Sequence, residues 1–188
     1  MPGLFRMKSR LGAIVLLALL LFTGAAHADD THIIIDTVAG TLTVVNEQGV
    51  LGTFRDISIG RYGTSLDKQR GDNRTPLGRF TIGWITENTR YHRFIGLNYP
   101  DLESASRAFY TGKIGKQDWL AIRRAAKEGV RPPQGTPLGG LIGIHGIGKG
   151  ELDVHRAYNW TNGCVAITNE EIEQLLEWVE VGTVVEIR

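Results

Sequence analysis

Trp160-Thr161-Asn162-Gly163-Cys164-Val165-Ala166 holds the single cysteine of this chain, and it follows Leu141-Ile142-Gly143-Ile144-His145-Gly146 with fifteen residues between His145 and Thr161. The first segment is an apolar run ending in a histidine, which places the imidazole at the rim of a sheet. The second brings a thiol out of a polar, flexible stretch. Glycines after His145 and before Cys164 let backbone and substrate approach closely. A glycine before a nucleophile also leaves neighbouring N–H groups free to face a developing oxyanion, so Gly163 is the candidate oxyanion position.

The leader says where such a thiol would work. Arg6, Lys8 and Arg10 precede an apolar stretch from Leu11 to Phe22, too short to span a bilayer comfortably. Ala26-His27-Ala28 then offers a signal-peptidase site. The expected organisation is a cleaved signal peptide, 1–28, and one catalytic-sized domain, 29–188, exported and not inserted in the membrane. No Cys lies near the cleavage site, which excludes lipid attachment there. A lone thiol in an exported chain closes no disulfide within itself. It remains as a nucleophile, a metal ligand or a buried bystander.

The whole chain carries 21 basic and 20 acidic residues, and losing the leader leaves 18 basic against the same 20 acidic. So balanced a surface has no field for gripping nucleic acid or an anionic membrane. Nothing in the chain reads as a repeat, a low-complexity tract or a linker.

The pattern outside the two motifs is β-rich α+β, a small sandwich or barrel carrying a few helices. Thr31 to Thr37 and Thr41 to Val45 form a hairpin around Ala39-Gly40, and Leu51 to Ile59, Gly78 to Ile85 and Phe94 to Tyr99 follow as strands. The stretch 101–133 is a helical insert and a possible lid. Its second helix, Lys116 to Glu128, puts Trp119, Ile122 and Ala126 on one stripe. Leu141 to His145 returns to strand. Thr168-x-x-Glu171 is a capping box, opening an amphipathic helix through Ile172, Leu175, Leu176 and Val179. Thr183 to Ile187 closes the chain as a strand.

Cysteine attacks as the thiolate and needs a lowered pKa or an adjacent base, for which His145 is the natural partner. Thr161 offers a hydroxyl to the same pocket. A zinc site from His145, His155 and Cys164 lacks any ligand spacing that would support it. His155, in the polar stretch Asp153-Val154-His155-Arg156, reads as a substrate contact or a solvated side chain rather than the base. Trp160 either lines the pocket or caps the core.

Taken together, these residues resemble the L,D-transpeptidases with a YkuD-type catalytic domain. The motif is a His followed by Gly, some fifteen residues, then Ser/Thr-x-Gly-Cys and an apolar residue. Arg74-Thr75-Pro76-Leu77-Gly78-Arg79-Phe80, Asn98-Tyr99-Pro100, Gly139-Gly140 and Val181-Gly182-Thr183-Val184-Val185-Glu186-Ile187 are also similar, so the likeness runs from about Thr31 to the C-terminus. It implies a periplasmic cell-wall enzyme acting on peptidoglycan stem peptides without metal or cofactor. Cys164 would attack the residue-three carbonyl and expel terminal D-Ala, leaving a thioester. His145 would be general base and acid, oriented by the backbone carbonyl of Gly146. Backbone N–H groups about Asn162 to Cys164 would hold the oxyanion, and a carbapenem would acylate Cys164. The acceptor would be a stem amine, a lipoprotein lysine, a free D-amino acid or water.

Two departures bear on the substrate. Asn162 stands where many members carry His or Arg, and Ala166 where they carry Arg or Asn. The group that holds the substrate carboxylate is therefore open among Arg74, Arg131 and Arg156, with Trp160, Thr161, Asn162 and His155 as further substrate-binding candidates. The same departures motivate a hydrolase that trims stems or detaches a lipoprotein. A non-catalytic peptidoglycan-binding module is the reading from another class. A sortase fits less well, since the only Arg after Cys164 is the terminal Arg188, and a papain-like peptidase places Cys before His.

Overall fold

A computed structural model describes residues 31–188; the expected signal peptide, 1–28, lies outside the described residues. Chain alternation builds the first hairpin. In β1 (His32–Asp36) and β2 (Thr41–Asn46) every second side chain, Ile33, Ile35, Leu42 and Val44, is fully buried. The Asp36 carboxylate closes the turn by accepting the N–H groups of Val38 at 3.1 Å and Ala39 at 2.8 Å. β3 (Gly49–Arg55) extends the meander, and β4 (Thr64–Ser65) and β5 (Thr75–Pro76) form a small parallel pair. β6 (Gly78–Thr89) and β7 (His92–Leu97) make a long hairpin whose tip is Arg90-Tyr91.

The insert is two helices, α1 (Leu102–Tyr110) and α2 (Lys116–Glu128). Asp101 caps the first by accepting the N–H groups of Glu103 and Ser104, and Gly129 stops the second in the left-handed conformation. The buried stripe of α2 is Ile122 and Ala125, with Trp119 stacked on Phe109 at 5.2 Å. Ala126, expected on that stripe, is exposed, one position round the helix from the buried Ala125.

The chain then re-enters the sheet. β8 (Gly143–His145) is shorter than expected: Leu141 is 59% exposed and has φ +55°, so it turns the chain instead of pairing. α3 (Leu152–Ala157) occupies the stretch expected to be a polar loop. It is six residues long with no side-chain cap, so nothing local announces it. β9 (Val165–Ala166), α4 (Asn169–Leu176) and β10 (Val184–Ile187) complete the fold, and α4 carries the full Thr168/Glu171 capping box.

The eight-stranded sheet runs β3-β2-β1-β10-β6-β7-β8-β9, parallel only at β1–β10 and β8–β9. Beyond β3, Ser58 bridges Ala166 and Gly60 bridges Thr161, so the chain leaving one edge strand meets the other edge. This closure gives the sheet its barrel-like character and covers an exposed edge. It also clamps the segment carrying Cys164 from both sides. The interior is a single apolar cluster in which Ile82, Ile95, Leu97, Ile144, Val165 and Val185 are fully buried, each worth about 1.5–3 kcal/mol in removed apolar surface.

Candidate active site

His145 ends β8, where the parallel register sets it opposite Ala166 and Ile144 opposite Val165. Cys164 immediately precedes β9. Both side chains open into one cavity of about 630 Å³. Its walls include Trp84, Tyr91, Phe94, Trp160, Arg61, Arg90 and Arg131, and no acidic residue among the described residues.

The imidazole is fixed on every side. Its Nδ1 lies 2.7 Å from the carbonyl oxygen of Gly146. A carbonyl only accepts, so Nδ1 carries the proton and Nε2 is left as the base. Tyr91 stacks on the ring at 4.2 Å, Phe94 lies nearly parallel at 6.2 Å from the neighbouring strand, and Trp160 meets it edge-on at 5.7 Å. Burial among these rings pushes the pKa of His145 down to about 4, with the Gly146 carbonyl pulling the other way. Gly146 is glycine for lack of space: a Cβ there would stand 2.5 Å from Asn169 Oδ1 and 2.7 Å from the Tyr91 carbonyl. Asn169 in turn accepts the Gly148 N–H and donates to the Gly148 carbonyl, both at 2.8 Å, tying the turn after His145 to α4.

The Cys164 thiol donates to the Leu141 carbonyl at 3.4 Å. Leu141 is held in turn by its N–H, which donates to Gln134 Oε1 at 2.6 Å. Cys164 keeps partial exposure to the cavity, yet desolvation pushes its pKa up to about 11, while the Gly143 N–H and the Lys68 charge favour the thiolate. At neutral pH the pair therefore rests as thiol and neutral imidazole.

The turn before the thiol differs from expectation in one respect. The Gly163 N–H donates to Thr161 Oγ1 at 3.1 Å, and that hydroxyl donates to the Cys164 carbonyl at 2.6 Å. The Gly163 donor is thus engaged and does not face an oxyanion. Among the described residues, no backbone acceptor engages the N–H of Asn162 or of Cys164, so both stay available as donors. Thr161 lines the cavity, but its buried hydroxyl shapes the turn instead of reaching outward. Gly163 itself is required, with φ +125° and a Cβ position 2.6 Å from the Arg74 carbonyl.

The remaining candidates separate. Asn162 and Trp160 line the cavity; Asn162 Oδ1 accepts from Arg61 at 2.8 Å. Arg131, at the trailing end of the insert, also lines it, with its guanidinium 3.5 Å above the Trp84 ring. The helices of the insert line a different cavity, against β6 and β10. His155 is buried in α3, where Nδ1 accepts the Trp160 indole N–H at 3.3 Å, and it borders a neighbouring cavity behind Trp160 and Tyr91. It is neither solvated nor in the His145–Cys164 cavity. Arg156 is exposed, neither it nor Arg74 lines either of these two cavities, and Arg74 donates to the Thr64 carbonyl at 3.2 Å. Arg61, Tyr91, Leu141, Asn169 and Lys68 were not singled out from sequence. No group of three or more His, Cys, Asp or Glu side chains gathers to hold a metal among the described residues.

A family model for the YkuD L,D-transpeptidase catalytic domain matches residues 30–187. The chain belongs to the YkuD family. Comparison with curated proteins finds no match. Among solved structures, the chain is similar to the helical cell shape determining protein Pgp2 of Campylobacter jejuni (20% identity, 84% of this chain and 47% of that one, TM-score 0.55). It is also similar to Bd1075 of Bdellovibrio bacteriovorus (18% identity, 85% and 48%, TM-score 0.52). A third is an Enterococcus faecium L,D-transpeptidase (13% identity, 85% and 50%, TM-score 0.50). At these identities the likeness is one of fold, and the chain spans about half the length of these structures. Within the YkuD fold, the cavity described above is where the family motif falls.

Proposed function

We propose that this protein is a periplasmic L,D-transpeptidase-type acyltransferase that processes peptidoglycan tetrapeptide stems through a thioester on Cys164. The observation that carries this reading is the shared cavity of a cysteine and a neutral histidine whose Nδ1 is committed to the Gly146 carbonyl.

In the acylation step Cys164 Sγ attacks the carbonyl of the third stem residue while His145 Nε2 takes the thiol proton. The C–N bond to terminal D-Ala breaks, and the imidazolium returns its proton to the departing amine. Negative charge on the carbonyl oxygen is met by the Cys164 N–H. An acceptor amine then attacks the thioester carbonyl and gives its proton to His145; the C–S bond breaks and the imidazolium returns that proton to the Cys164 sulfur. Resting neutrality suits this chemistry, because proton transfer accompanies attack and no ion pair must first be desolvated. The stem carries carboxylates, and Arg61, Arg90 and Arg131 supply the cations that Ala166 does not.

A second reading, hydrolysis of the thioester by water, is favoured by one observation: the cavity gathers three arginines and no carboxylate to receive an ammonium acceptor. Incubating the mature protein and Cys164→Ala with disaccharide-tetrapeptide separates the two. Cys164-dependent dimers lacking one D-Ala support transfer; Cys164-dependent tripeptide alone supports hydrolysis. Equal turnover by Cys164→Ala would sink both. The likeness to a cell-shape-determining protein supports looking for altered cell shape as the phenotype of loss.

A further inference from the structure

Lys68 is a buried lysine, 4% exposed, in the loop between β4 and β5. Burying an ammonium is costly unless it is paired and hydrogen-bonded. Its Nζ donates to Asp72 Oδ1 at 2.7 Å and to the Gln69 carbonyl at 3.4 Å. Asp72 is committed as well, accepting the Gln69 N–H at 2.7 Å and the Arg74 N–H at 3.0 Å. Burial would raise the Asp72 pKa, but Lys68 and these N–H groups hold it below the usual carboxylate value.

An exposed residue would serve to close this loop. What sets Lys68 apart is the direction of its head. A Cβ on Gly163 would lie 3.2 Å from Lys68 Nζ, so the ammonium packs directly against the backbone preceding Cys164. It reaches Gly163 from outside the cavity that His145 and Cys164 share, which Lys68 does not line.

We propose that Lys68 is a positioning residue of the acyl-transfer site, its Asp72-clamped ammonium fixed against Gly163 so that it stabilises negative charge on the Cys164 sulfur. The Lys68 charge also acts on the thiol in the direction of the thiolate. The charged and titratable groups around the thiol are His145, Tyr91, Arg61, Arg90 and Arg131 on the cavity side, and Lys68, Asp72 and Arg74 outside the cavity. None of the variants below alters Arg74 or the cavity arginines. The proposal rests on Cys164 as the nucleophile, but its test needs no peptidoglycan.

The test is the rate of Cys164 alkylation by iodoacetamide between pH 7 and 9.5, on folded protein. The rate follows the thiolate fraction, so one pKa unit is a tenfold change. Lys68→Met and Lys68→Gln, which remove the charge, are expected to slow alkylation about tenfold. Lys68→Arg, which keeps it, stays within about threefold of the wild type. Equal rates in all four proteins, or equal slowing in all three variants, overturn the proposal and leave Lys68 a structural residue. Should the neutral variants fail to fold, Lys68→Arg keeps the proposal falsifiable: a tenfold loss in the folded variant, which keeps the charge, overturns it. A wild-type Cys164 that alkylates normally while Cys164→Ala still turns over stems is a different outcome, which refutes the nucleophile assignment instead.

Discussion

His145 and Cys164 are each perturbed by burial in the direction that keeps them neutral, and this sets the pH behaviour of the site. The base works only as free imidazole. With a folded pKa of about 4 it stays unprotonated well below the ordinary histidine value of 6.5. The acid limb of kcat/KM is therefore expected near pH 4, with activity retained at pH 5.5; an inflection near 6.5 would mean that the aromatic enclosure of Tyr91, Phe94 and Trp160 opens in solution. These two residues were legible in the sequence because each carries a glycine beside it. Tyr91, Arg61 and Lys68 were not, because a stacked ring and two distant cations leave no local pattern. They arrive from the β6–β7 tip and from the chain after β3, more than fifty residues before the site residues they meet, His145 for Tyr91, Asn162 for Arg61 and Gly163 for Lys68.

Elements carry the site through close approaches that a side chain would block. Gly163→Ala places a Cβ 2.6 Å from the Arg74 carbonyl at φ +125°. We expect it to cost upwards of about 2 kcal/mol and nearly all activity, measured by urea unfolding and D-Ala release. Gly182→Ala is the matched control: φ is +102° but nothing lies within 4 Å, so about 1 kcal/mol is lost and activity stays. Asn169→Ala removes both bonds to Gly148. It should lower kcat several-fold with a smaller change in KM, because it loosens the turn that holds the Gly146 carbonyl. At this scale the α4 capping box was readable from Thr168 and Glu171, which are three residues apart. α3 was not, being a short helix whose Glu151 cap makes no side-chain bond and whose buried His155 is held by Trp160.

For the whole molecule, alternation gave away the class, since Ile33, Ile35, Leu42 and Val44 mark an inward face. The order of strands was beyond it. β1 pairs in parallel with β10 from the far end of the chain, and Ser58 reaches Ala166 to close the sheet; such partners are chosen by burial and not by neighbouring sequence. One global consequence follows from His145. The folded protein holds it neutral, so its contribution is complete above pH 6.5 and is lost progressively as the pH falls from 6.5 to about 4. The loss amounts to about 3 kcal/mol. Urea unfolding at pH 7 and pH 4.5 should show it in the wild type and much less in His145→Gln; equal losses in both would assign acid lability elsewhere.

The central claim is a covalent intermediate on Cys164, and intact-protein mass spectrometry after brief exposure to tetrapeptide stem tests it most directly. The account predicts a gain equal to the stem less D-Ala, mapped to Cys164, reversed by hydroxylamine and absent from Cys164→Ala. D-Ala release without any such adduct on the wild type, or an adduct that persists in Cys164→Ala, would contradict it.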